Sequence, residues 1–348
     1  MRILMLKTMK RILIVLLFIS NIGFSQTINP AVFDHFNEFF TDAVFFSDKF
    51  ITPATDAAAY QATSGWIYSA KKNKLWSTSL GIHSNVFFVP QADREFVLND
   101  NDFTFLKIMN STSATVPTAL GNDDFVRIID VYGVISPAQP IKTPKGVNQN
   151  EIFYPHLSGS ICVGFGTDIV GKFAPKTAIK QGEYQVYGIG IRHNLSQYLP
   201  NLEAKKINIA MTLSRSVENI SFDFLDITTQ LGTLGINRIN GNVKTWQFQT
   251  NVSKEFGNLE LMLGSMINIS DFKYEFTGEK GTIDKLIKFD GGSSQAYFNK
   301  SLEKIYKTKL NSIYEFSATY KFRKFRFQGA VAFNKFINTN AAVHYKFN

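Results

Sequence analysis

The sequence predicts an all-β fold, a transmembrane antiparallel up-and-down β-barrel of about 12–14 strands with an N-terminal helical plug segment. Three observations lead there. Apolar residues recur at every second position over many stretches, the period of a β-strand. The alternate positions carry amides, hydroxyls and small residues where a soluble sheet would show Lys and Glu. A secretory leader opens the chain. The composition agrees: charged residues make up 19%, below the roughly 25% of soluble domains, and the 33 Phe are dispersed rather than gathered into long runs.

The leader comes first. Arg2, Lys7, Lys10 and Arg11 precede the apolar run Ile12–Ile19, and small residues lead up to Gln26. That is a signal peptide over residues 1–25, with cleavage after Ser25; Met9 is an alternative start. The run is too short for the ~20 residues of a spanning helix. Of the net charge of +9, four units belong to the leader. The remaining cations are scattered, with no zinc spacing or RNA-binding signature, which argues against nucleic acid. A single cysteine, Cys162, excludes a disulfide framework and an N-terminal lipid anchor.

Residues 26–70 form the plug-like segment and residues 71–348 the barrel. In the first, Val32, Phe33, Phe36, Phe39, Phe40 and Ala43 recur at helical spacing, and Pro53 is expected to end the helix. A small-residue stretch follows, and then strands begin near Trp76. The clearest strands lie toward the C-terminus, with apolar faces such as Leu261–Ile269, Tyr314–Phe322, Phe325–Phe333 and Thr339–Phe347. Strands are also expected around Phe103–Ile108 and Phe125–Tyr132. Short turns fall near Gly166, Gly257 and Arg323, and long connections span Gly133–Tyr154, Val217–Val243 and Tyr274–Leu310. Short turns at one end and long loops at the other are the transmembrane-barrel pattern.

The stretch Thr245–Ser253 poses the question of facing. Trp246, Phe248, Thr250 and Val252 share one side, and Gln247, Gln249, Asn251 and Ser253 the other. A Lys or Arg facing lipid at mid-bilayer costs about 2–4 kcal/mol, so a barrel keeps charge off its outer face. The amide side suits a crowded wet lumen, where Glu260, Glu315, Lys321, Arg326 and Lys346 are tolerated. Aromatics at strand ends, Trp246, Tyr320, Phe322, Phe325, Tyr345 and Phe347, suit interfacial girdles. A secreted soluble β-sandwich is the competing fold.

Catalytic, cofactor and metal sites are not indicated. His35, His83, His156, His193 and His344 lack metal spacing and read as structural or lumen histidines. Asn99–Asp102 and Gly121–Asp124 read as polar turns rather than calcium loops. No nucleophile elbow is present, and Cys162 reads as packed.

Four stretches carry a resemblance: "SGWIYSAK" (64–71), "VPTALG" (116–121), "GIGIRHNLSQYLPNL" (188–202) and the closing "AAVHYKF" (341–347). With them the chain resembles an uncharacterised family of Gram-negative outer-membrane barrels. More distantly it is similar to the long-chain fatty acid transporter family. That resemblance implies a barrel of about 14 strands with an N-terminal hatch, here Phe33–Phe50 and Ala54–Ala70. The chain ends in Asn348 rather than an aromatic, and the transporter family's characteristic N-terminal start is not matched. The function expected is that of a plugged channel in the outer membrane of a Gram-negative bacterium, taking up small hydrophobic solutes. Its partners are outer-membrane lipid and the barrel-assembly machinery. The alternative is a structural or secretion-associated barrel that docks envelope partners. A barrel enzyme ranks third, with His83, His156 and His193 as its only bases.

Overall fold

Trp246 and Phe248 are 47% and 44% exposed, whereas Gln247 and Gln249 are 2% and 1% exposed. The oily side faces out, so the sheet closes on its amide side. The computed structural model describes residues 30–133, 139–229 and 231–347, with side chains from residue 35 onward; the expected signal peptide lies outside these residues. Ten antiparallel strands form the closed ring. They are β1 (Thr78–Phe88), β2 (Glu151–Gly164), β3 (Thr167–Ile179), β4 (Gly182–Asn194) and β5 (Ile207–Asp223), then β6 (Arg238–Phe256), β7 (Leu259–Phe276), β8 (Lys307–Phe322), β9 (Phe325–Phe333) and β10 (Ile337–Lys346). Each pairs with its sequence neighbour, and β1 also pairs with β10, from Ser79 with Lys346 to Phe88 with Ile337. Closure leaves no unpaired edge, the condition for a sheet in hydrocarbon.

Ten strands replace the expected 12–14, and the 14 implied by the fatty acid transporter resemblance do not appear. The stretches around Phe103–Ile108 and Phe125–Tyr132 do not cross. They contribute Leu106–Ile108 and Arg127–Asp130 to a small three-stranded sheet with Ile141–Lys142, and Glu95–Asn99 pairs separately with Ser113–Pro117. These strands are too short to span a bilayer, which takes ~9–11 residues. The two polar stretches bond locally. Asp102 accepts from the Asn99 amide at 2.8 Å, and Asp123 accepts from Asn148 at 2.8 Å.

The expected long connections 217–243 and 274–310 are partly strand. β5, β6 and β7 run on to Asp223, from Arg238 and to Phe276. Above Trp246 and Ile269 their outward positions turn polar: Arg238, Asn240, Asn242 and Lys244 on β6, then Asp271, Lys273 and Glu275 on β7. Their inward positions turn apolar, with Ile220, Phe222, Val243, Phe272, Tyr274 and Phe276 buried. The polarity of the wall thus inverts along its height. The lower zone is polar inside and apolar outside, as lipid demands; the upper zone is built like a water-soluble protein. The alternation never breaks, but its sense flips, and a search for oily outward faces ends the strands too early.

A 34-residue helix, α1 (Pro30–Thr63), occupies the interior. It continues through Pro53 instead of ending there. Proline removes one helical hydrogen bond, but Ile51, Ala54, Ala57 and Ala58 around it are all buried, and enclosure outweighs the local defect. The first half of α1 is rich in Phe and fills the upper zone. Phe50 packs on Phe222 and Phe224, with centroids 6.4 and 5.6 Å away. Phe40 meets Phe298 at 3.9 Å, Phe298 lying on a second helix, α2 (Ser294–Leu302), in the loop between β7 and β8. The second half is Ala-rich. Where it nears the wall, a Cβ on Gly241 would clash with Thr55, so glycine is required there.

Candidate functional site: the plug and its seat in the lumen

After Thr63 the chain leaves the helix and runs through the lower lumen as a strap, residues 64–74, before turning into β1. An extended segment has no internal partners for its carbonyls, and a buried bare carbonyl is costly. The inward side chains of the wall supply the donors. Lys172 on β3 donates to the carbonyls of Gln61, Ala62 and Ser64 at 2.8, 3.4 and 2.9 Å. Gln247 reaches Thr63 at 3.3 Å, Gln328 reaches Ile67 at 3.2 Å and Thr319 reaches Tyr68 at 2.8 Å. Farther down, Arg192 on β4 donates to the carbonyls of Ser69 and Lys71, and Asn194 to that of Ala70 at 2.8 Å. Arg192 also forms a buried ion pair with Asp168. Glu260, 1% exposed, accepts from Ser69 and Ser253 and pairs with Lys321 at 3.1 Å. Part of the amide and hydroxyl face seen in the sequence, Gln247, Thr319 and Gln328, is therefore joined with Lys172, Arg192 and Asn194 in a seat for main-chain carbonyls.

The upper end of the plug is held by its acids. Asp42, 2% exposed, accepts from the backbone amides of Thr104, Phe105 and Leu106 at 3.0, 2.7 and 2.9 Å, which ties the β1–β2 loop to the helix. Asp48 pairs with Lys307 at 2.9 Å. Asp56 pairs with Lys309 at 2.5 Å and Lys335 at 3.3 Å. Burial works against the Lys335 ammonium, but Asp56 and Asp93 beside it keep its pKa above the ordinary lysine value. Asp48, Thr52 and Asp56 recur at i, i+4 and i+8, one stripe of the helix facing the lysines.

Three of the five histidines meet in the lumen. His83 on β1 stacks on His156 of β2, its cross-strand partner, with centroids 4.2 Å apart, and meets His344 of β10 edge-on at 4.9 Å. Only the register of three strands brings them together, and no sequence spacing announces it. They frame Gly65, whose φ of +75° and whose closeness to His156 leave no room for a side chain. His35 pairs with Glu38 near the long-loop mouth, and His193 bonds Thr167 and Tyr198 near the short turns. His83 Nε2 lies 2.8 Å from Ser158 Oγ, and its Nδ1 lies 3.0 Å from Asn340. That is the connectivity of a nucleophile, a base and an orienting amide. The adjoining cavity is about 10 Å³, room for about one water, so no acyl substrate fits beside Ser158 in this state. Cys162 is buried and free.

These features define a closed β-barrel of the outer-membrane type whose lumen is filled by its own N-terminal segment. Residues 5–347 match the model of a family of unknown function, DUF6588, and the chain belongs to that family. No curated protein matches the sequence. Among solved structures the chain is similar to the translocator domain of the autotransporter NalP from Neisseria meningitidis, at 9% identity and a TM-score of 0.35, covering 88% of this chain and 99% of that one. It is also similar to the toluene transporter TbuX of Ralstonia pickettii, at 7% identity and a TM-score of 0.26, covering 78% and 90%. Likenesses this loose carry no argument about function, and the barrel rests on its own strand-to-strand closure.

Proposed function

We propose that this protein is a channel of the Gram-negative outer membrane held shut by its own N-terminal segment, and that it admits small solutes when the strap leaves its seat. The observation that carries this is the nature of the seat. The strap is held largely by polar contacts from wall side chains, Lys172 and Arg192 each donating to more than one backbone carbonyl, and the net contribution of such contacts is modest once water can take their place. The lining supports a small polar solute over the apolar one expected from the transporter resemblance, because the inward face of the lower zone is amide and hydroxyl. On this reading the short turns face the periplasm, β10 with its outward Val343 and Tyr345 is the strand offered to the assembly machinery, and the protein is not an enzyme. The docking alternative draws support from the ordered loops sealed over α1, which present a folded surface at the other mouth.

Planar-bilayer recording tests the channel. The native chain should be closed with rare openings, and the paired variant Arg192→Gln/Asp168→Asn, which loosens the strap without stranding a buried charge, should open more often. Equal conductance in both, with both folded, would sink the channel reading and leave the docking one.

A further inference from the structure

The short-turn mouth carries a cleft of about 370 Å³ between the strap and the ends of β8, β9 and β10. The strap contributes Lys71, Lys72 and Lys74; the wall contributes Arg323, Lys324 and Arg326. Among the described residues, no carboxylate lines it. Lys71 and Lys321, at its back, share Glu255 at 3.0 and 2.8 Å, Lys321 also pairs with Glu260 at 3.1 Å, and Lys346 is turned onto Asn73 at 2.9 Å. Among the described residues, Lys72, Lys74, Arg323, Lys324 and Arg326 form no ion pair. The neighbouring cleft on the other side of the strap includes Glu203 and Glu255, so the imbalance belongs to this side.

Like charges converging on a concave site raise the local potential and hold a counter-anion. The volume falls in the range of small-ligand pockets, about 300–1,000 Å³. Arginine forks match phosphate oxygens two at a time, and lysines add point charges. The lip of the cleft is aromatic. Arg323 lies over Phe322 at 5.6 Å and Lys324 over Tyr345 at 6.0 Å, in the girdle where the apolar band of the wall ends. The site therefore opens at headgroup depth as well as to the lumen mouth.

We propose that this cleft binds a phosphate-class oxyanion, carried either by an anionic lipid headgroup or by a small soluble phosphate ester. Bound there, the anion bridges strap and wall, because its cationic partners come from both.

The test uses the full chain folded in a non-ionic detergent. Titration with pyrophosphate and with glycerol 3-phosphate gives the soluble arm. Flotation with phosphatidylcholine vesicles, with and without phosphatidylglycerol, gives the lipid arm. The cleft variant is Lys72→Gln/Lys74→Gln/Arg323→Gln/Lys324→Gln, and Lys285→Gln/Lys288→Gln at the opposite mouth is the charge control. Binding in at least one arm should weaken by about tenfold or more in the cleft variant, stay unchanged in the control and fall with added salt. A response in the soluble arm alone identifies a solute site, and one in the lipid arm alone a headgroup site. Binding absent from both arms, or equal in native, cleft and control proteins, overturns the proposal. Heat-dependent gel mobility, which reports the closed barrel, confirms that each variant is folded.

Discussion

Lys172 concentrates the logic of the lumen in one side chain. Its ammonium sits where α1 ends, the pole at which a helix presents unpaired carbonyls and partial negative charge, and it donates to the carbonyls of Gln61 and Ala62 in the last turn and of Ser64 just past it. The Ser64 amide still serves the Gln61 carbonyl and the Trp66 indole that of Ala62, so Lys172→Met should leave the Ser64 carbonyl bare and cost about 1–3 kcal/mol, read as lost stability on urea unfolding in micelles. Lys172→Arg should recover part of it. A stability within error of the native chain for Lys172→Met would show that the contact is incidental. At this scale the sequence was readable in one respect and opaque in another. Gln247 and Gln249 announce an inward polar face through simple alternation. The meeting of His83, His156 and His344 depends on how β1 registers against β2 and β10, which no local pattern encodes.

Among the elements, α1 departs most from expectation. Its Phe positions were legible from helical spacing, and Pro53 suggested an end that enclosure overrides. The direction of the helix was not legible at all. Phe36–Phe50 lie with the loops and Thr63 points toward the short turns, so the start of the plug and the start of β1 sit at opposite mouths. Asn37 is exposed and bonded to Tyr297 in the β7–β8 loop, and Lys72 is exposed at the other mouth. On intact cells, a membrane-impermeant maleimide should label Asn37→Cys but not Lys72→Cys, which should react only after permeabilisation. The native Cys162 is buried and stays silent. The opposite labelling would mean that the short turns face outward.

For the molecule as a whole, the inversion of polarity along the wall sets the depth of insertion. Ile267, 51% exposed in the middle of β7, lies on the apolar outer band, and Lys273 lies above it. Ile267→Arg should cost about 2–4 kcal/mol in bilayer-refolding equilibria, the price of a cation at the bilayer midplane. Lys273→Ile should change little. Equal effects would place the band elsewhere on the wall. The closed barrel was legible because lipid keeps the outward positions of the lower zone largely apolar and mid-bilayer charge off them. The count of strands was not, since the segment between β1 and β2 folds into small sheets whose short apolar pieces look like crossings.

The two ends of the plug lie at opposite openings, and this constrains how the object is made. A finished ring would have to be threaded end to end by a bulky, Phe-studded helix. Wrapping would avoid that: the staves would curl around the helix while the seam between β1 and β10, which pairs Ser79 with Lys346 through Phe88 with Ile337, is still open, and the seam should close last. The N-terminal segment is then a mandrel on which the cylinder is rolled, and a chain lacking it should stall with its seam unzipped.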